Sequence, residues 1–284
     1  MSAVLALGTI QTLLLGAARL PHGYGVSTVD ETRAAISACI ITFNEADRIG
    51  RCVTALKFCD EIIVVDSHST DNTRELAAAA GATVIDRDWP GYRSQKQFAT
   101  ESALHDWILS VDADEIVTPQ LQREIRTLQS RGFSGAVGFS VPRLTDYFGR
   151  FLRHGNPWPD RKIRLYHRAT ARWVGHEVHE RVAVDGPVKE LQAPLEHYAY
   201  RSLDDHLNRM DRYSRLMAEE MHRSGQSCSL SAAMTHPAWR FLRGMFLKGG
   251  VLDGWRGWLF HCVEAGYVHR KYLRLWARSR ITEQ

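Results

Sequence analysis

The sequence predicts an α/β fold, a mostly parallel sheet flanked by helices with a helical C-terminal appendage. Three observations predict it. Apolar runs of strand length alternate with helical spacings from Ile36 to Val111. The polar residues of that region gather just after the strands, where open α/β sheets bind ligands. Beyond Leu203 the apolar period is helical and strand signals cease.

Taken in order, Ile36–Phe43 (ISACIITF) is a nearly continuous apolar run, followed by Asn44, Glu45 and a helical spacing of Ile49, Cys52, Val53 and Leu56. Glu61–Asp66 (EIIVVD) is a second buried strand. Ser69, Thr70 or Asp71 can cap the helix that runs through Leu76 to Ala80, and Gly81 ends it. Thr83–Asp86 is a short third strand, Tyr92–Leu104 a helix and Trp107–Val111 the fourth strand. Strands alternating with helices of this length imply right-handed crossovers and a sheet covered on both faces. After Gly135, strands are expected at Phe139–Arg143, Lys162–Tyr166 and Ala171–Val174, and along Gly175–Val182 (GHEVHERV). The glycine- and proline-bearing stretch Tyr147–Asp160 reads as a loop able to hold an acceptor.

The organising stretch is SVDADE, Ser110–Glu115. Asp112 and Asp114, two apart at a strand end, point the same way if extended. Like charges so placed call for a hard cation, Mg²⁺ or Mn²⁺, shared with substrate phosphates. By itself such a pair is more often a solvated acidic turn; the β/α pattern on both sides favours the metal-diphosphate reading. Thr42, Asn44 and Glu45 after the first strand, and Asp66, Ser67 and Ser69 after the second, lie at the same edge. No G-x-G-x-x-G follows the first strand, which disfavours a dinucleotide site. His176 and His179, three apart, would need a helix to bind zinc together, and the surrounding residues favour a strand.

Composition excludes other classes. Hydrophobic residues make up 44% and charged residues 24%, which rules out a disordered chain. A net charge of +4 is too mild for a nucleic-acid partner. Five scattered cysteines without paired metal spacing suit reduced thiols of a cytosolic protein. The chain divides into an apolar segment and linker (1–33), an α/β domain (34–200) and a helical, basic and aromatic region (201–284). Ala3–Ala18 is uncharged but diluted by polar residues and glycines, so it reads as a marginal helix, interfacial or arising from an upstream start, not a full span.

The order TFNEADRI, IIVVDSHSTDNT, GYRSQKQFA and DWILSVDADE resembles glycosyltransferase family 2, and within it the bacterial lipopolysaccharide-core glucosyltransferases that build β-1,4 linkages to inner-core heptose. The resemblance runs over roughly residues 36–278 and implies the Rossmann-like GT-A fold, an inverting transfer, a UDP-sugar donor and a lipid-linked lipopolysaccharide acceptor; transfer to another bacterial surface glycan or to a polyprenyl phosphate, or nucleotide-sugar binding without turnover, are the alternative readings. It implies that Thr42, Asn44, Glu45 and Asp66 frame the uridine, that Asp112 and Asp114 serve metal and diphosphate, and that Gln95 and Lys96 lie near the donor. Lys96 read from its helix alone is equally an exposed lysine. An inverting transfer needs a general base for the acceptor hydroxyl. The W-P-D, R-L-Y and V-H-E elements point to Glu180 as that base, with Asp160 as rival, His179 as metal or phosphate contact and Arg164 as phosphate contact. A structural ion-pair role is the competing reading for each.

From Leu203 to Gly225 the apolar period is that of a helix, and Pro237 is placed to open another. The last stretch interleaves Trp239, Phe246, Trp255, Trp258 and Trp276 with arginines and lysines. Two readings stand: aromatic packing onto the sheet domain, or peripheral contact with anionic headgroups on the inner face of the cytoplasmic membrane.

Overall fold

The computed structural model describes residues 33–175 and 180–281. Its first half is the expected alternation: β1 (Ile36–Thr42), α1 (Ile49–Ala55), β2 (Glu61–Asp66), α2 (Thr73–Ala80), β3 (Thr83–Asp86), α3 (Tyr92–Glu101) and β4 (Trp107–Ser110). There follow β5 (Glu115–Val117), α4 (Pro119–Gln129), β6 (Gly138–Thr145), β7 (Asp160–His167), β8 (Ala171–Val174), β9 (Arg181–Val184), β10 (Val188–Glu190) and β11 (Leu195–His197). Three helices close the chain: α5 (Leu203–Arg223), α6 (Leu230–Leu242) and α7 (Gly254–Ile281).

Among the described residues nine strands form one sheet, ordered β3-β2-β1-β4-β7-β6-β11-β5 with β10 also on β6. β1, β2, β3 and β4 are mutually parallel where they pair, while β7 enters antiparallel to β4 and β6. The chain runs outward from β1 to β3 and returns to β4 on the other side of β1. The gap between β1 and β4 is therefore a topological switch point, where the following loops part and leave a crevice.

Both faces of the sheet are covered, as the unbroken apolar runs require. Ile36, Ala38 and Ile40 of β1 pack with Ile49, Val53, Leu121 and Ile125 of α1 and α4. Cys39, on the opposite face, packs with Ala99 of α3 and with Tyr166 and Trp173. The local signals are ordinary ones. Gly81 closes α2 at φ 105°, in a region glycine enters without steric cost. Thr118 caps α4 through the Leu121 N–H, with Pro119 at its first position.

Two expectations are corrected. Pro237 does not open a helix; it sits buried within α6, whose start is capped by Ser229 accepting from the Ala232 N–H. A proline inside a helix orphans the carbonyl four residues earlier, and here that carbonyl, of Ala233, lies 2.9 Å from His269 Nδ1 of α7. The tertiary contact makes an interior proline tolerable. The stretch Gly175–Val182 is not one strand: β8 ends at Val174, Gly175 bends at φ 100°, and pairing resumes at Arg181 in the β8–β9 hairpin. His176 and His179 lie outside the described residues.

Candidate active site

The loops after β1 and β2 are tied together by polar groups. In the parallel register Thr42 stands beside Asp66, and its hydroxyl donates to Asp66 Oδ2 at 2.8 Å. Ser69 donates its N–H to Oδ1 at 2.7 Å and its hydroxyl to Oδ2 at 2.6 Å. The Ser69 hydroxyl in turn accepts the Asn44 N–H, and Asn44 Oδ1 accepts the Thr70 N–H. Asn44 stands at φ 55°, a left-handed conformation that asparagine tolerates better than most residues. Asp66 is fully buried. It therefore shapes the rim from beneath, while Asn44 and Glu45 are the partly open members of the set.

α3 enters from the other side. Gln95 Nε2 donates to the Ser67 hydroxyl at 3.1 Å, and Gln95 Oε1 is buried without a hydrogen-bond partner. Lys96 is not an exposed helix lysine. It is 6% exposed, and its ammonium sits 2.8 Å from both Asp112 Oδ1 and Glu180 Oε1, over the Trp173 ring. The reading of Lys96 as a solvated lysine is thereby excluded, and two carboxylates remote in sequence are brought to one cation.

Asp112 and Asp114 do not extend β4. They occupy a turn after it, in which the Glu115 N–H donates to the Asp112 carbonyl and the Asp112 N–H donates to Glu115 Oε2. The turn sends the two carboxylates to different partners. Asp112 is held between Lys96 and Arg164, whose Nη2 donates to Oδ2 at 2.6 Å. Asp114 faces His197 Nε2 at 3.6 Å and Arg48 Nη1 at 3.8 Å, both longer than a hydrogen bond. Burial alone would raise the Asp112 carboxyl; Arg164 and Lys96 outweigh it and hold it well below the usual carboxylate range. Desolvation would raise the half-buried Asp114 as well, and His197 brings it below that range.

A line of alternating charge continues from there. Arg164 also meets Glu115, which is fully buried and accepts from Arg143 at 3.2 Å. Arg143 meets Asp160, whose other oxygen lies 3.3 Å from Lys162. Glu180, Lys96, Asp112, Arg164, Glu115, Arg143 and Asp160 thus form one chain of contacts, with the two candidate bases at its ends. Burial would raise the Asp160 carboxyl, but Arg143 and Lys162 bring it below its ordinary range. No side-chain description covers His179.

Beside Asp114 lies a cleft of about 400 Å³ bordered by Arg48, Arg51, Tyr198, Tyr200 and Arg201. Arg201 reaches back across it to Glu45 Oε2 and Asp47 Oδ1, each at 2.7 Å. Arg48 Nη1 is buried without a hydrogen-bond partner. Sequence reasoning missed Glu115, Arg143, His197 and Arg201. The first is in the SVDADE run itself, yet only the contacts distinguish it from a solvated glutamate. The others sit on or just after strands whose pairing no local pattern announces.

Comparison with known proteins identifies the family and the fold class. The family model described as Glycosyl transferase family 2 matches residues 37–185. The lipopolysaccharide core biosynthesis glycosyltransferase LpsC of Rhizobium meliloti is 31% identical over 266 residues, which cover 87% of this chain and 96% of that one. An uncharacterized glycosyltransferase of Rickettsia felis is 31% identical over 255 residues, 84% of this chain and 88% of that one. Among solved structures, the mannosyltransferase of Pyrobaculum calidifontis in complex with GDP-Man and Mn²⁺ superposes with a TM-score of 0.51 at 13% identity, covering 89% of this chain and 90% of that one, a likeness of GT-A-like fold. With the family model spanning more than half the chain and LpsC matched over most of its length, this chain belongs to glycosyltransferase family 2.

Proposed function

We propose that the protein transfers a sugar, glucose by resemblance, from UDP-glucose to a heptose hydroxyl of the lipopolysaccharide inner core, with inversion at the anomeric carbon and with a divalent cation. The observation that carries the reading is the Asp112–Asp114 turn at the β1/β4 switch point, joined through Lys96 to Glu180. The relationship to LpsC of Rhizobium meliloti supports the acceptor class, and with a lipid-linked acceptor the reaction would take place at a membrane surface.

The residues present fit Mg²⁺ or Mn²⁺ in a particular way. Asp112 is neutralised by Lys96 and Arg164, whereas Asp114 has no partner within hydrogen-bonding distance and stands near an imidazole. Asp114 and His197 are the donors we assign to the cation. Among the described residues no cluster of three or more metal-ligating side chains occurs; a cation held by one or two protein groups and completed by substrate phosphates suits these metals. When bound, it supplies positive charge to the departing diphosphate.

The chain's own groups supply the rest. Thr42, Asn44, Glu45 and Asp66 form the uridine side, with Gln95 presenting its unpartnered carbonyl oxygen nearby. Arg48, with a buried nitrogen at the cleft that has no hydrogen-bond partner, and Arg164, whose Nε likewise has none, are placed to meet phosphate oxygens. Glu180 takes the proton of the acceptor hydroxyl as that oxygen bonds to the anomeric carbon and the bond to the diphosphate oxygen breaks. Lys96 fixes Glu180 by Oε1, leaving Oε2 to meet the hydroxyl. Asp160, drawn down by two cations, is the weaker base.

The test is transfer from a panel of UDP-sugars to deglycosylated lipopolysaccharide core, with and without Mn²⁺ or Mg²⁺. Metal-dependent transfer from one donor supports the reading and names the sugar. Metal-independent transfer would remove the role given to Asp114 and His197, and absence of any donor binding would overturn the reading.

A further inference from the structure

Large apolar side chains more than half exposed are not scattered over this protein. Ten occur among the described residues, and eight of them fall between Met234 and Leu247 or between Val251 and Trp258. They include Trp239, Phe246, Leu247, Leu252, Trp255 and Trp258, from 53% exposed at Trp258 to 71% at Leu247. Isolated exposed hydrophobics need no explanation, but a contiguous group marks a binding surface.

The backbone here is built to turn these side chains outward. α6 runs into a wide π turn at Arg243–Leu247, and a 3₁₀ turn at Gly250–Asp253 leads into α7. The glycines between them pack backbone on the buried His261. A Cβ on Gly244 or Gly250 would lie 2.5 Å from that ring, and one on Gly257 would lie 2.1 Å from the Gly250 carbonyl. With the backbone filling the interior, Phe246, Leu247, Val251 and Leu252 are left on the outer side.

Charge selects the partner. Between Met221 and Val263 the sequence has one acidic residue, Asp253. It is 6% exposed and turned inward, accepting the N–H groups of Arg153 and His154 and standing 3.0 Å from the His154 ring. Arg243 and Lys248 are exposed beside the apolar group. An apolar, tryptophan-rich tip whose exposed charges are all positive is complementary to the headgroup and acyl boundary of an anionic bilayer. No helix among the described residues is long and apolar enough to cross a membrane, so the contact would be made from one side.

We propose that the tip formed by the end of α6, the two turns and the start of α7 docks into the surface of a bilayer containing anionic phospholipid. The proposal deepens the reading that the acceptor is lipid-linked, and rests on it for its purpose but not for its chemistry. Asp253 also fixes Arg153 and His154 of the loop before Asp160, while the Gly155 N–H donates to the Lys248 carbonyl and Arg256 donates to the Phe148 carbonyl. Docking the tip therefore presents this loop at a set height above the membrane.

The test is sedimentation of the full chain with vesicles of phosphatidylcholine, with and without phosphatidylglycerol, at low and high salt. Two double variants confined to exposed side chains accompany it, Leu247→Glu/Leu252→Glu and Arg243→Glu/Lys248→Glu. We expect binding to the anionic vesicles to be salt-sensitive and to fall about tenfold or more in each variant, and bromine-labelled acyl chains to quench wild-type tryptophan fluorescence. Wild-type protein that stays in the supernatant, or variants that bind as well as wild type, would overturn the proposal. So would a wild-type dimer split by Leu247→Glu/Leu252→Glu with no vesicle binding, which would assign the surface to a second copy. UDP-sugar transfer to a detached core acceptor, measured on the same samples, separates the two claims. Transfer without vesicle binding overturns the docking alone, and vesicle binding without transfer supports the docking while overturning the transferase chemistry.

Discussion

At the scale of single residues the site is defined by which buried charges are balanced by fixed partners and which are not. Lys96 is the cation shared by Asp112 and Glu180, so removing it leaves Glu180 beside Asp112 with Arg164 alone to balance the pair in a largely closed place. Lys96→Met should lower stability by about 3–5 kcal/mol, the cost of breaking a buried pair, read as a shifted urea midpoint; a change under about 1 kcal/mol would show that the contacts behave as a surface pair. Glu180→Gln keeps shape and one acceptor for Lys96 but cannot take a proton. Its transfer rate should fall by about 10²–10⁴-fold with donor affinity retained, and unchanged turnover would move the base role elsewhere. Asp160→Asn, by contrast, should disturb Arg143 more than chemistry. The acid side follows from the same partners. Asp112 is depressed in the folded protein by Arg164 and Lys96 against its burial, so its stabilising contribution is complete above about pH 4, the ordinary aspartate range, and is lost as the pH falls below it. Asp112→Asn should flatten the stability profile in that acid window and leave the profile near neutrality unchanged in shape.

At the scale of elements, legibility followed burial. β1, β2 and β4 are buried and mainly apolar because both faces of the sheet are covered, so β2 has the bounds its pattern predicts and β1 and β4 differ by one residue, while the edge strand β3, only partly buried, offered a shorter signal that still gave its bounds. Three-residue strands cannot show a period. β5, β10 and β11 were unreadable for that reason, and with them went His197 at the end of β11 and Arg201 just beyond it. The SVDADE turn was legible as a site but not in geometry, since a turn rather than a strand sets where each carboxylate points. Pro237 misled for a related reason: the signal for opening a helix is real, but a residue from α7 answers the carbonyl that the proline orphans. That explanation makes a prediction at its own scale. His269→Ala should cost about 1–3 kcal/mol, the price of a buried carbonyl left unpaired, and most of that loss should vanish in a Pro237→Ala background, where the helix can satisfy Ala233 itself. Equal losses in both backgrounds, measured by thermal unfolding, would separate His269 from the proline.

At the scale of the whole molecule, the sheet domain and the terminal helices meet through groups whose chemistry is sensitive to acid. His206 of α5 lies against Tyr147, Tyr200 and Phe260, with its Nδ1 3.0 Å from the Tyr147 hydroxyl. His261 of α7 sits among the glycines of the turns between α6 and α7. Burial, with Arg209 nearby, pulls His206 down to about 4. Burial, with Arg240 nearby, does the same to His261. The sign is fixed by which state binds protons more readily. The unfolded chain protonates these imidazoles near pH 6.5, the folded chain only near 4, so stability should fall as the pH drops through that interval and recover above it. Because both rings belong to the helical region and its joint with the loop before Asp160, the loss should appear there first. Hydrogen exchange at pH 5 should show α5, α7 and residues 147–156 opening earlier than β1–β4. His206→Phe, which keeps an aromatic ring against Tyr200 and removes one titrating group, should roughly halve the pH slope of the urea midpoint between pH 6.5 and 4. If the slope is unchanged, His206 is not a source of the acid sensitivity; if the sheet and the helices open together at every pH, the joint is not a separable unit and the two halves of the molecule fold as one.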